Sequence, residues 1–358
     1  MKISVQELHK SVEKIFLSIG CSEFDSGIIA DVLISAEARG IPSHGVMRIK
    51  DYLGLWSKGR LNPTPSIEVV YETPSTLVID GDLGPGIVIA HFAMNKTIEK
   101  AGSAYTAWCS VRNSNHFGIA GYYSLMAVKH NMTGISMTNA NPLVSPTFSI
   151  DRMLGTNPLA VAIPAGRFDP FVADFATTPI ARGKLELLEK MNKKVAELLV
   201  QDKTGKTSTN PSILKDGGSI LPLGGDFQHG SHKGFCMSAI VDIFSAVFSG
   251  ANFGPFVPPQ VAYLEPKNES PGKGLGHFFG AMRIDAFQPT EQFLEYMDLW
   301  IATFKKASTI EGFENIIIPG EPERDNELLA SINGLEIQDV IIDELTASLS
   351  SFSISSPF

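Results

Sequence analysis

The spacing of apolar residues changes near residue 66, and that change restricts the fold more than any other feature. Before it, the period is helical. Ser4 followed by Glu7 has the form of a capping box, and Leu8, Val12, Ile15, Phe16 and Ile19 share a face that Gly20 ends. A second helix is predicted from about Asp25 to Arg39, and a third from about Val46 to Lys58, stopped by Gly40 and Gly59. After it, strand-like runs at 67–71 and 76–79 begin an alternation of strands and helices. Strands are expected near 104–111, 134–138, 160–163, 171–175 and 279–284. Helices are expected near 87–100, 119–130, 185–200 and 233–249. Beyond Pro289 the pattern is helical again. The expectation is an α/β fold with a mixed central sheet, residues 76–289, with a helical insertion near 185–250. A helical unit at 1–75 would pack with a helical segment at 290–358.

Composition removes several classes of function. A formal charge of −9, with no Lys/Arg run longer than two, lacks the concentrated basic surface that nucleic acid or an anionic membrane requires. Three scattered cysteines, Cys21, Cys109 and Cys236, fit neither a disulfide framework nor a cysteine-rich zinc module, and suit a reducing, cytoplasmic setting. Charged residues in the first turns break any signal-peptide core. The apolar stretch Gly234–Gly250 carries Asp242 and reads as a buried core helix rather than a membrane span.

The usual nucleotide signatures are missing. No G-x-G-x-x-G follows a predicted strand, the string Gly81–Gly86 has the wrong spacing, and Gly205-Lys206-Thr207 lacks the upstream glycine of a Walker motif. Chemistry concentrates in five other strings. Pro42-Ser43-His44-Gly45-Val46-Met47-Arg48 sits at a helix start, where His44 and Arg48 would share a face. That pairing suits a 2-oxo or 2-hydroxy acid: a guanidinium fork for the carboxylate and an imidazole for the proton on the neighbouring oxygen. A solvated histidine beside a surface arginine would produce the same spacing. Arg112-Asn113-Ser114-Asn115-His116-Phe117-Gly118 falls at a strand-to-helix turn, a frequent ligand position. Asp174-Phe175-Ala176-Thr177-Thr178 leads to Ala181-Arg182-Gly183-Lys184. His229, His232 and Cys236 invite zinc but lack a second ligand cluster, so no metal is expected, and Lys233 reads better as a phosphate contact. Pro319-Gly320-Glu321 opens a late helix.

In this order, and joined by Gly155-Thr156-Asn157-Pro158 and His232-Lys233-Gly234, these strings resemble the malate/L-lactate dehydrogenase family of the second type, unrelated to the Rossmann-fold enzymes. The resemblance runs from the first helix to about residue 335. It implies a non-Rossmann dinucleotide-binding domain, an NAD(P)-dependent oxidoreductase, and a homodimer with its active site near the subunit interface. NAD is the expected cofactor, with NADP open. The implied nucleotide segments are Pro170, Phe171, Val172, Ala173, Asp174, Phe175 and Ala176, then His232 and Lys233, then Gly320, Glu321 and Arg324. Asn139 and Asn141 are expected to line the same cleft. Either His44 or His116 would serve as acid/base. His44 is preferred because Arg48 would hold the substrate carboxylate one turn away, and Ser43 belongs to the same catalytic string. Family substrates include malate, lactate, sulfolactate, diketogulonate, ureidoglycolate and cyclic imino acids. The Asp174–Lys184 stretch is closer to malate-type members, which ranks malate and oxaloacetate first.

Overall fold

A computed structural model of the chain describes residues 2–358. Its N-terminus follows the local signals. After the two-residue strand β1 (Lys2–Ile3), Ser4 Oγ accepts the N–H of Glu7 at 3.1 Å and donates to Glu7 Oε2 at 2.9 Å, capping α1 (Val5–Ser18). Ser22 and Asp25 repeat the arrangement at α2 (Glu23–Ala38). Leu8, Val12, Ile15 and Phe16 of α1 are wholly buried in one cluster with Ile29, Val32 and Leu33 of α2. Each such side chain contributes about 1.5–3 kcal/mol.

The third helix is shorter than its spacing suggests. Two 3₁₀ turns, Pro42–His44 and Val46–Arg48, precede α3 (Ile49–Ser57). The break is at Gly45, which packs on α2. Glu37 Oε1 accepts the N–H of Val46 at 2.8 Å, and a Cβ on Gly45 would lie 2.1 Å from that oxygen.

Strands β2 (Glu68–Glu72) and β3 (Thr76–Asp80) come next, then α4 (Gly86–Ala104), β4 (Thr106–Ser114), α5 (Ala120–Val128) and β5 (Met132–Thr138). Strands β6 (Leu159–Ile163) and β7 (Phe171–Phe175) lead to α6 (Arg182–Lys190). This helix ends well before residue 200, where Asn192 and Leu198 take positive φ. A small antiparallel sheet unsignalled by any strong strand run occupies its place: β8 (Val200–Gln201), β9 (Thr207–Ser208) and β10 (Ser219–Ile220). Helix α7 (Ser231–Asp242) runs into a π turn at Ile243–Val247. Strand β11 (Leu275–Arg283), α8 (Thr290–Lys305), α9 (Glu321–Asn333), β12 (Leu335–Glu336) and α10 (Asp339–Ser351) complete the chain, with β12 pairing β1.

The central sheet has seven strands in the order β2-β3-β4-β11-β5-β6-β7. Only β3 and β4 are parallel, joined by the α4 crossover. Strand β11 lies between β4 and β5, antiparallel to both. One face buries Ile79, Cys109, Val111 and Phe279 with α4, α5 and the terminal helices in a single cluster. The other buries Met137 and Phe278 under Val241 and Phe244. The apolar stretch near Gly234–Gly250 is therefore buried on one side only: Ile240, Ile243, Val247 and Phe248 stay about half exposed. Among the described residues no helix is long and apolar enough to cross a membrane.

Candidate active site

The 3₁₀ turns after α2 and the connection between β4 and α5 place two imidazoles face to face. The rings of His44 and His116 stack with centroids 5.5 Å apart and planes inclined by 22°. Each ring is held through Nδ1. Ser43 Oγ meets Nδ1 of His44 at 3.0 Å, and the buried phenol of Tyr52 meets Nδ1 of His116 at 2.8 Å. Nε2 is left as the nitrogen free to exchange a proton in both rings.

The backbone under His116 is pinned from below. Asn115 donates its amide to the carbonyls of Leu83 (2.7 Å) and Gly84 (3.1 Å). Gly86 opens α4 so close that a Cβ there would stand 1.9 Å from the Asn115 carbonyl oxygen. The string Gly81–Gly86 thus has a packing role. Arg112 and Asn113 turn away from the imidazoles, both bonding Asp80 from within β4.

Arg48 shares the cleft although no α-helical turn joins it to His44. Its Nε donates to the Ser43 carbonyl at 2.6 Å and its Nη1 to Asp51 Oδ2 at 2.9 Å. Nη2 has no hydrogen-bond partner among the described residues and faces Gly183, whose Cβ would stand 3.5 Å from it. A bidentate grip on a carboxylate would require Asp51 to yield.

Ser43, His44, Arg48, His116 and Asn141 all border one cleft. Arg182 and Gly183 border it too, at the start of α6, where no side chain caps the helix. Arg182 spends Nε on Glu186 at 3.0 Å and keeps its terminal nitrogens. Uncapped N–H groups beside a guanidinium make an anion-favouring wall. Burial, reinforced by Arg48, pushes His44 down to about 4. Burial also holds His116 well below the ordinary imidazole value, with His44, Arg48 and Arg182 adding to the effect. Both rings are therefore neutral at pH 7.

Asn139 lies apart from the cleft. It is wholly buried, donating to Asp242 Oδ1 (3.1 Å) and the Asn252 carbonyl (2.7 Å) while accepting the N–H of Gly276 (3.1 Å). Its neighbour Asn141 is the one that reaches the cavity. Tyr52, Asp51 and Gln260 also border it. Tyr52 carries the inward-facing signal of a core residue, Asp51 lies at i+3 from Arg48, and Gln260 comes from a stretch with no periodic pattern.

The three remaining segments gather along β7, the sheet edge. The Val172 N–H donates to the Pro319 carbonyl at 3.0 Å, and Gly320, at φ 98°, lies so near that a Cβ would meet Val172 Cβ at 2.9 Å. Arg324 donates to the Pro170 carbonyl at 2.9 Å and pairs with Asp169, whereas Glu321 pairs with Lys305. Phe171 packs edge-on against Trp300, and Asp174 accepts the N–H of Gly121 at 2.8 Å; Ala173, Phe175 and Ala176 complete the strand and its exit. The start of α7 approaches from the other end: Leu223 donates to the Thr177 carbonyl, and Gly234 packs on the Leu223 backbone. His232 and Lys233 are exposed there, while His229 is paired with Asp226 at 2.6 Å. Among the described residues no three His, Cys, Asp or Glu converge on one point.

Comparison with known proteins gives the family. The family model described as malate/L-lactate dehydrogenase matches residues 3–346. The chain belongs to that family. It is 39% identical over 346 residues to a malate dehydrogenase of Pyrococcus abyssi, covering 96% of this chain and 93% of that one. It is 36% identical to an L-sulfolactate dehydrogenase of Methanocaldococcus jannaschii, covering 94% and 93%. The solved malate dehydrogenase of Entamoeba histolytica superposes with a TM-score of 0.92 at 33% identity, over 100% of this chain and 99% of that one. The protein is thus a pyridine-nucleotide-dependent 2-hydroxy acid dehydrogenase of mixed α/β fold. Its seven-stranded sheet is parallel only at β3 and β4, and no G-x-G-x-x-G string follows any of its strands.

Proposed function

We propose that the enzyme interconverts malate and oxaloacetate with NAD, using His44 as acid/base. The observation that carries this reading is the stacked imidazole pair, each ring fixed through Nδ1, in one cleft with two guanidiniums. Arg48 holds the carboxylate next to C2 through Nη2. Arg182 and the uncapped start of α6 receive the second carboxylate, which pyruvate and lactate lack. His116, locked by Tyr52, orients the oxygen on C2, and neutral His44 accepts the hydroxyl proton in oxidation or returns it in reduction. Malate dehydrogenases and sulfolactate dehydrogenases among the relatives support a substrate with two acidic groups.

The edge of β7 fits a dinucleotide. Exposed Lys233 at the start of α7, which has no side-chain cap, matches a pyrophosphate, and Gly320, beside Val172 and the Arg324 guanidinium, lets α9 begin close against β7. When bound, the cofactor supplies or takes the hydride at substrate C2. Asp169, exposed in the loop before β7, would repel a 2′-phosphate; this supports NAD over NADP.

The test is the loss of 340 nm absorbance with oxaloacetate, NADH and NADPH being supplied separately. Fast oxidation of NADH alone is expected. Oxidation with pyruvate and none with oxaloacetate would overturn the malate reading, and faster oxidation of NADPH would overturn the cofactor.

Substrate binding should also take up protons. A dianion compensates Arg48 and Arg182, the charges that help keep the histidines neutral, and so raises the imidazole pKa from a value below the working pH. Titration calorimetry with a non-reducible oxaloacetate analogue should give a buffer-dependent enthalpy at pH 7. A buffer-independent enthalpy would mean that the rings stay neutral when the anion binds.

We further propose that two copies pair through the exposed side of α7 and its π turn. Ile240, Ile243, Val247 and Phe248 present apolar surface there. Light scattering should give a dimer for the native chain and a monomer for Val247→Glu with Phe248→Glu; a dimer in the variant would move the interface elsewhere. Cytoplasmic residence is supported by three unpaired cysteines, two of them buried. Cell fractionation checks it.

A further inference from the structure

The cleft has one wall that the catalytic strings do not supply. Between the π turn and β11 the chain crosses residues 257–264 with no strand pairing, and Gln260 from this crossing borders the cleft with His44, Arg48 and His116. The side-chain amide of Gln260 has no hydrogen-bond partner among the described residues. Pro258 and Pro259 immediately before it limit the backbone to extended conformations.

The crossing is held by one side chain. Arg60, just beyond α3, donates to the carbonyl of Pro259, to that of Val261 at 3.3 Å and to that of Leu264 at 2.8 Å. These carbonyls lie on both sides of Gln260. Val257 and Val261 are buried beneath the crossing, and Gly54 of α3 faces it so closely that a Cβ there would stand 2.9 Å from Ala262 Cβ. The backbone of Arg60 is itself tied to the histidine turn, its carbonyl accepting from Asn115 at 3.3 Å. One residue thus links the crossing to the element that carries His116.

We infer that Gln260 is a substrate-contacting residue and that Arg60 is the positioning residue that presents it. The amide offers two donors and an acceptor, so it can hold a carboxylate or sulfonate without adding charge to a cleft that already has two cations. A guanidinium suits the positioning role because its five donors lie in a fixed fork that reaches three carbonyls at once. The inference rests on the reading of this cleft as the site for an oxo acid.

The experiment is steady-state kinetics with oxaloacetate, paired with NADH affinity from fluorescence titration. Gln260→Glu brings a negative charge to an anion site and is expected to raise KM for oxaloacetate by about tenfold or more, with NADH affinity within about twofold of native. Gln260→Leu should raise KM by a smaller factor. Arg60→Met should move KM in the same direction, with Arg60→Lys recovering part of the loss. If Arg60 acts through Gln260, adding Arg60→Met to Gln260→Leu raises KM little further, since the two changes remove one interaction. Additive effects would reduce Arg60 to a general stabiliser and overturn its role. Unmoved KM in both Gln260 variants would overturn the contact while native turnover keeps the oxo-acid reading. Failure of the native enzyme to reduce any oxo acid would overturn both.

Discussion

Replacing His44 by alanine is expected to lower kcat by about 10²–10⁴-fold, the usual contribution of a positioned acid/base, with NADH affinity within about twofold of native. The pH dependence gives a second, independent signature. In oxidation the histidine must be neutral, and a pKa lowered to about 4 keeps it so in acid. The kcat/KM profile for malate should therefore show no break near about 6.5, where an ordinary imidazole would titrate, and should fall only as the substrate's second carboxylate becomes protonated. Alanine at His44 should lower the whole profile and leave that fall in place. If His116→Ala lowers the profile by that factor instead, and His44→Ala leaves it unchanged, the two rings have exchanged roles. The stack makes such an exchange chemically simple, since both Nε2 atoms are unengaged.

The two guanidiniums should separate by substrate. Arg48→Met is expected to weaken oxaloacetate and pyruvate alike, because both carry the carboxylate next to the carbonyl. Loss of a charge-assisted hydrogen bond of about 1.5–3 kcal/mol corresponds to a factor of about 10–150. Arg182→Met should impose a penalty of that size on oxaloacetate and little on pyruvate, so that the ratio of the two kcat/KM values collapses. The comparison is steady-state kinetics of both variants on both acids. An unchanged ratio in Arg182→Met would remove Arg182 from selection of the substrate. Asp51 adds a control: as the partner of Nη1 it competes with substrate for Arg48, and its removal also leaves that guanidinium less constrained.

Much of this architecture was legible because it depends on short-range rules. Ser4 and Glu7 cap α1 as their spacing requires, and the β3-α4-β4 period is plain in the sequence. The mixed sheet follows from the alternation of strands and helices, and the string Ser43–Arg48 does border the cleft. No α-helical turn joins its members, however. Helical spacing suggested a shared face, whereas the actual cause is Gly45 packed against Glu37, a contact between residues eight apart in sequence on different elements. Asn139 illustrates the opposite failure. A polar residue after a strand looks like a ligand, and only the positions of Asp242, Asn252 and Gly276, more than a hundred residues later, reveal that its amide is fully used. The sheet β8-β9-β10 consists of two-residue strands too short to carry a period. Gln260 carries no such signal, because neither its proline neighbours nor its own amide marks a cavity; its place depends on Arg60, which grips the chain around it.

The position of β11 has a consequence for how this enzyme is made. Strands β4 and β5 emerge from the ribosome long before residues 275–283, yet each forms one of its two ladders with that late segment. During synthesis both strands expose unpaired backbone edges, the kind of surface that recruits neighbouring chains. The seven-stranded sheet can close only after β11 has emerged, so a chain truncated before residue 275 should accumulate in aggregates rather than as a stable N-terminal fragment.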